Sequence, residues 1–377
     1  MNAIKLLLKS ICFKNVLFLF LVSSFSFSVT SCKKDDEAES PAPVAIIPTT
    51  YNFENVDYAG QTARLAMLEA LETAIKKGAT GVSVDAQKLK DMYANTNAPF
   101  SDNALNTSGK QLKDKTYAPD QALFESYLDS IAVASNSTMV AGNGVAGIAT
   151  SSSNSSKKYL LSAKGFDYGA LFEKSIMGAT FYYQAVGHYL TPDEIGAGVD
   201  NTTVTPGKGT AMQHHWDEAF GYLGVPVDFP QNTTGVLFYG KYATETDPAT
   251  GLAHTLMNAF LKGRAAIGAN DMTVKDQQAA LIIENWEKLV AAAAIHELNE
   301  AKGGFADDAV RNHTLSEGIG FVKALKYNPS KKITETKINA IVDSFGDNLY
   351  LVDLSDIAAA IDELSNIYGL NAAKASL

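Results

Sequence analysis

His214-His215-Trp216-Asp217-Glu218-Ala219-Phe220-Gly221-Tyr222-Leu223 is answered later in the chain by His313-Thr314-Leu315-Ser316-Glu317-Gly318-Ile319-Gly320-Phe321-Val322. Both stretches reduce to His-x3-Glu-x2-Gly-aromatic-aliphatic. A second matched piece, Ala-x-x-His-x-Leu, precedes each copy: Ala185, His188 and Leu190 before the first, Ala293, His296 and Leu298 before the second. Four of the six histidines therefore stand at equivalent places. A His and a Glu four residues apart share one face of a helix, one turn apart. The repeat thus predicts a duplicated helical unit with a polar cluster in each copy. It does not by itself name a reaction.

Helical periodicity extends outward from these two stretches. Ala63, Leu65, Leu68, Leu71 and Ile75 recur at helix spacing, and Gly78 stops the run. Pro119-Asp120 opens a helix through Leu123, Tyr127, Leu128 and Ile131, and another runs from Tyr168 to Leu190. Thr191-Pro192-Asp193-Glu194 reads as a helix N-terminus. Leu256–Ile267, Val274–Ala301, Thr334–Phe345 and Leu354–Tyr368 complete the set, with Thr334 as an N-cap. Residues 135–158, rich in Ser, Asn and Gly, read as a long flexible loop or a boundary within the domain, and 225–253, with Pro226, Pro230 and Pro248, as irregular chain at the seam between two halves. Gly235–Tyr239 reads as a local extended ribbon. The expected fold is all-α, in two helical-bundle halves related by internal duplication, 51–230 and 231–377.

The N-terminus reads as a processing signal. Lys5, Lys9 and Lys14 form a basic region, Val16–Val29 an apolar one about half a membrane span long, and Val29-Thr30-Ser31-Cys32 resembles a lipoprotein cleavage box. Residues 1–31 would be removed and Cys32 acylated, anchoring the chain to outer-membrane lipid, facing either the cell exterior or the periplasm. Residues 32–50, with Pro41, Pro43 and Pro48, read as a tether. Cleavage also removes Cys12, leaving no thiol for a disulfide. It takes the formal charge from −10 to −13, which argues against nucleic acid as a partner, since phosphate backbones demand basic patches.

His215 and Glu218 at i, i+3, and His214 and Glu218 at i, i+4, are spacings that build metal sites inside helix bundles. One helix cannot supply a full ligand set. His188 is a candidate additional ligand, and His296, His313 and Glu317 are candidates in the second half. The same pairs also serve to fasten helix to helix with no metal at all, and spacing alone leaves both readings open. Peptidase motifs are absent: His296-Glu297-Leu298-Asn299-Glu300 begins like the zinc helix motif but ends in Glu where the second His belongs.

His215-x-x-Glu218-Ala219-Phe220-Gly221 resembles the signature of the imelysin-like proteins, also called insulin-cleaving membrane proteases, in which Gly-x-His-x-x-Glu precedes an apolar pair and Gly. Lys157–Gly165 and Phe172–Ala179 look like segments of a related group of surface lipoproteins. The resemblance implies two helical bundles arising from duplication, a role in iron uptake with a transporter as partner, and His215 and Glu218 as the signature pair. Two positions depart from it: Gln213 stands where the signature has Gly, and Thr314 stands where a second signature His would align. The expected function is a lipid-anchored, non-enzymatic binding protein for iron or another metal such as zinc. Its alternatives are a metal-dependent peptidase with Glu218 as general base and an interaction scaffold whose His/Glu pairs are structural.

Overall fold

A computed structural model describes residues 46–377; the signal segment 1–31, Cys32 and the tether as far as residue 45 lie outside the described residues. Thirteen α-helices and one two-stranded hairpin make up the described part, so the protein is all-α. The body begins at Tyr51, which is buried and donates its hydroxyl to Asp217 at 2.8 Å.

The first half opens with α1 (Ala59–Lys76), α2 (Ala86–Ala94), α3 (Asn103–Thr107) and α4 (Gln121–Ser135). Strands β1 (Gly147–Thr150) and β2 (Lys158–Leu161) then pair antiparallel, with Gly147 opposite Leu161. This hairpin corrects the reading of 135–158 as a flexible loop. Leu161 is fully buried, and Asp307 pins the turn by accepting from the Ser151 hydroxyl and the Ser152 N–H, each at 2.8 Å. Packing and capping, neither visible as local propensity, hold the segment.

Helix α5 (Tyr168–Ile176) continues into two widened π-helical stretches, Met177–Tyr182 and Ala185–Tyr189. A short turn, α6 (Pro192–Ile195), leads to α7 (Ala211–Gly221), which carries the first His/Glu copy. Thr210 and Gln213 close a reciprocal capping box at its start: the Thr210 hydroxyl accepts from the Gln213 N–H at 3.2 Å, and the Gln213 amide oxygen accepts from the Thr210 N–H at 3.0 Å. That contact accounts for Gln213 standing where the resembled signature has Gly.

The second half comprises α8 (Tyr239–Thr250), α9 (Leu252–Gly268), α10 (Met272–Gly303), α11 (Asp308–Ala324), α12 (Glu335–Ser344) and α13 (Leu354–Tyr368). Residues 225–238 are irregular as expected, but helix α8 corrects that reading for Tyr239–Thr250. Pro248 sits in its last turn, where the helix is about to end at Gly251, so the proline terminates the helix without breaking it. The ribbon expected at Gly235–Tyr239 is not a strand; Tyr239 starts α8. Thr334 caps α12 as its sequence signal implies, accepting from the Lys337 N–H.

Helix α10 is the central strut, packing on α9, α11 and α13. Ala291, Ala292, Ala293 and Ala294 in its middle are all fully buried, and their small side chains let three neighbours approach its axis. Helix α11 lies between α10 and α5. One apolar core runs through both halves, from Leu68 and Phe172 to Trp286 and Leu364, and the boundary at 230/231 falls within it.

Candidate functional site

The two His/Glu helices are held by the same device. Gly221 and Gly320 lie one turn after the motif glutamates, on the same face. A Cβ at Gly221 would lie 2.6 Å from the Tyr58 Cβ and 2.9 Å from the Gln61 Cβ; at Gly320 it would lie 2.7 Å from the Lys174 Cβ and 3.3 Å from the Leu171 carbonyl. Only glycine lets a neighbouring helix come this near. The approach delivers one polar side chain to each glutamate. Gln61 of α1 donates to Glu218 Oε1 at 3.0 Å, and the Lys174 ammonium of α5 lies 3.2 Å from Glu317 Oε1.

The preceding repeat piece supplies a second partner, but not its histidine. The residue between His and Leu reaches the motif glutamate. In the first half this is Tyr189, whose hydroxyl donates to Glu218 Oε1 at 3.1 Å. In the second it is Glu297, whose carboxyl lies beside that of Glu317 and accepts from the Tyr242 hydroxyl at 2.7 Å.

His313 is fixed at both ends. Its Nδ1 lies 2.8 Å from Asp167 Oδ2 and its Nε2 3.6 Å from Glu317 Oε2, while the Tyr159 ring stacks on it with centroids 4.0 Å apart. Asp167 also caps α5, accepting from the Gly169 and Ala170 N–H groups. Burial alone would lower the His313 pKa, but Glu317 and Asp167 outweigh it and the net direction is up. His214 keeps the equivalent relation to Glu218, Nε2 to Oε2 at 3.9 Å, but its buried Nδ1 has no hydrogen-bond partner.

The other predicted ligands divide among separate places. His215 Nδ1 lies 2.6 Å from the Glu194 carbonyl and 3.0 Å from Glu194 Oε2, and His188 Nδ1 lies 3.4 Å from Glu194 Oε1. These two histidines therefore meet at Glu194, whereas His214 accompanies Glu218. His296 turns away from His313 and Glu317: its Nδ1 lies 2.9 Å from the Leu377 carbonyl, and Asn299 donates to the Lys374 carbonyl at 2.7 Å, fastening the last turn of chain to α10. Among the described residues, no three His, Cys, Asp or Glu side chains are already gathered as a metal-holding group.

The second copy opens on a cleft of about 520 Å³. Its walls are apolar and aromatic, with Ile75, Ile131, Tyr159, Tyr168 and Phe238; Lys158, Lys241 and Glu245 stand exposed at its rim. Its floor gathers Glu72, Asp167, Glu173 and Glu317, with Glu297 behind them, around only two interior bases, Lys174 and His313. Lys76 reaches Glu72 from the rim at 3.0 Å. Burial, reinforced by the Glu173 charge, pushes Glu72 up to about 8. Burial and the neighbouring Glu317 push Glu297 up to about 9. Burial works the same way on Glu317, but Lys174 and His313 overcome it and bring that carboxyl down to about 2. Burial disfavours the Lys174 ammonium too, yet Glu173, Tyr242 and Glu317 hold its pKa well above the usual lysine value. The raised values of Glu72 and Glu297 favour their protonated forms at neutral pH, which lessens the negative charge gathered at the floor.

Sequence spacing missed Glu297, Lys174, Glu173, Glu72, Asp167 and Tyr242. Glu173 and Lys174 lie in Phe172–Ala179, a stretch singled out only for its likeness, and Glu297 lies inside the matched Ala-x-x-His-x-Leu piece.

Fold and site together define an all-α protein in which each of two His-x3-Glu helices lines a pocket, one a cleft with an acidic floor, the other small. Residues 48–371 match a family described as a domain of unknown function, DUF4856. The chain belongs to that family. No curated protein and no solved structure matched it.

Proposed function

We propose that this chain is a non-enzymatic binding protein whose ligand enters the cleft beside the second motif copy and presents a positive charge to its floor. The observation that carries this reading is the carboxyl cluster at the floor of one cleft with apolar walls: Glu72, Asp167, Glu173 and Glu317, with Glu297 behind them, gather around Lys174 and His313, while the other lysines of the lining, Lys76, Lys158 and Lys241, stand at the rim. Ligand sites in proteins are commonly concave and mostly apolar, with a few convergent polar groups, and range over roughly 300–1,000 Å³. An incoming cation would replace the protons held on Glu72 and Glu297. Organic amines and metal ions share this chemistry. The hard oxygen donors of Glu173, Glu297 and Glu317, with His313 beside them, suit a metal ion once the Lys174 ammonium moves aside.

The finer reading adds the imelysin-like resemblance and the lipoprotein signal. Acylated Cys32 would tether the body to the outer membrane, and the cation would be iron or another metal on its way to a transporter. Mass spectrometry of the N-terminal peptide from membrane-purified protein tests the anchor: acyl chains on Cys32 are expected, and an unmodified or uncleaved N-terminus would remove it.

Calorimetric titration of the full chain tests the ligand class, with iron(II), zinc and manganese in one arm and small aliphatic amines in another. Binding is expected in one arm, lost on Glu317→Gln and unchanged in a His215→Ala, Glu218→Ala control. Failure of every cation to bind, or equal binding by Glu317→Gln, would overturn the reading.

A further inference from the structure

The first-half copy lines a different pocket, of about 140 Å³. This is well below the roughly 300–1,000 Å³ of small-molecule sites and leaves room for a few waters or one small ion. Its sign is opposite to that of the acidic cleft. Arg64, Lys110, Lys115 and Lys208 line it against only Asp57 and Glu218, in a chain whose formal charge is −10. Arg64 is committed to the fold, donating to the Gln111 carbonyl at 2.8 Å and the Gly60 carbonyl at 3.3 Å, with Asp114 at 3.5 Å. Lys208 keeps a loose pair with Asp57 at 3.8 Å. Lys110 and Lys115 have no ion-pair partner among the described residues; Lys115 lies over the Tyr189 ring, 5.8 Å from its centroid.

We infer that this pocket binds one small oxyanion that carries a proton, of the hydrogen phosphate or hydrogen carbonate class. Lys110 and Lys115 supply the attraction. Glu218 supplies the selectivity. Its Oε1 already accepts from Gln61 and Tyr189. Its Oε2 has no hydrogen-bond donor; the nearest candidate, His214 Nε2, is 3.9 Å away. A carboxylate oxygen open to the pocket repels a fully ionised anion but accepts a hydrogen bond from an anion that brings its own O–H. Hydrogen phosphate and hydrogen carbonate have that donor at neutral pH, and sulfate does not.

The test is titration of the full-length protein at neutral pH with inorganic phosphate, bicarbonate and sulfate in parallel. Phosphate or bicarbonate is expected to bind, with sulfate weaker by about tenfold or more, the worth of one charge-assisted hydrogen bond. Lys110→Ala, at an exposed position, with Lys115→Gln, which keeps most of the half-buried side chain, should weaken binding by about tenfold or more while the protein stays folded. Glu218→Gln should narrow the gap between phosphate and sulfate. The inference is overturned if none of the anions binds, if sulfate binds as tightly as phosphate, or if the double lysine variant binds like the native chain. Cation titration of the acidic cleft is a separate measurement on separate residues, so the two readings fail independently.

Discussion

Tyr189 and Glu297 occupy the same place in the two halves, each between the histidine and leucine of Ala-x-x-His-x-Leu, and each meets the glutamate of its own His-x3-Glu helix. A phenol at that place gives Glu218 a neutral donor. A carboxyl there sets two acids side by side at the second copy, and like charges at hydrogen-bond range cannot both ionise cheaply. The two motif glutamates thus differ at two contacts: Gln61 and Tyr189 meet Glu218, whereas Lys174 and Glu297 meet Glu317.

The two raised carboxyls set a pH dependence. Glu297 sits at about 9 in the folded chain and Glu72 at about 8, both above the ordinary glutamate value. Between the unfolded value near 4.5 and these folded values, the native state binds more protons than the unfolded one. Stability from these two groups therefore falls as pH rises from about 5 to 8 for Glu72 and to 9 for Glu297, by about 1.4 kcal/mol per pH unit for each proton. Glu317, at about 2, acts oppositely and adds stability only as pH rises from 2 toward 4.5. Glu297→Gln should make the decline between pH 5 and 8 shallower by one proton's slope. Urea midpoints at pH 5, 6.5 and 8 measure it, and an unaltered slope would show that Glu297 is already ionised.

The histidine and glutamate spacing made the duplicated helices legible because those residues survived in both copies. The positions that complete the sites were hidden for two reasons. Tyr189 and Glu297 differ from each other, so a search for repeated residues passes over them. Asp167, Lys174 and Tyr242 arrive from other elements, through a helix cap, a glycine-permitted helix approach and the start of α8. Hairpin β1–β2 was masked by its Ser- and Asn-rich turn, and α8 by a proline that lies in its last turn. In each case the deciding interaction is tertiary.

Lys174 is the counter-ion on which the acidic floor depends. Its side chain is 6% exposed and lies between Glu173 and Glu317. Lys174→Met removes that charge while keeping most of the bulk, leaving buried carboxylates without compensation. The expected cost at pH 8 is about 3–5 kcal/mol. At pH 5 it should be smaller, since the freed acids take up protons instead. Thermal melts at the two pH values decide the matter: equal losses at both would mean that Lys174 serves packing rather than charge.

Gly320 should be intolerant of a methyl group although it lies in a helix, where alanine is otherwise favoured by about 1 kcal/mol. The new Cβ would press on Lys174 and on the α5 backbone, an overpacking that costs about 1–3 kcal/mol. Gly303, near the end of α10, faces open space. Gly320→Ala should lower the melting temperature, and Gly303→Ala should leave it unchanged or raise it. Equal responses in differential scanning calorimetry would disprove the close approach of α11 to α5.

Asp217, beside Glu218 in the sequence, belongs to the core rather than to either pocket. Its Oδ1 accepts from Arg264 Nε at 2.8 Å and from the Tyr51 hydroxyl, and the two ion-pair side chains are 0% and 3% exposed. Truncation at Asp217→Ala strands a buried guanidinium and should cost about 3–5 kcal/mol. Tyr51 would also lose its acceptor, which should loosen the packing of the segment before α1 against α7. The exposed pair Lys337–Glu363, at 46% and 39%, makes the contrast. Solvent screens it, and Lys337→Ala should change stability by less than about 1 kcal/mol. Chemical denaturation of both variants at one pH tests the ordering. If Asp217→Ala proved as mild as Lys337→Ala, Arg264 would have to find water or another acceptor, and the buried network joining Tyr51, α7 and α9 would not be the clamp that holds the first-half motif helix in place.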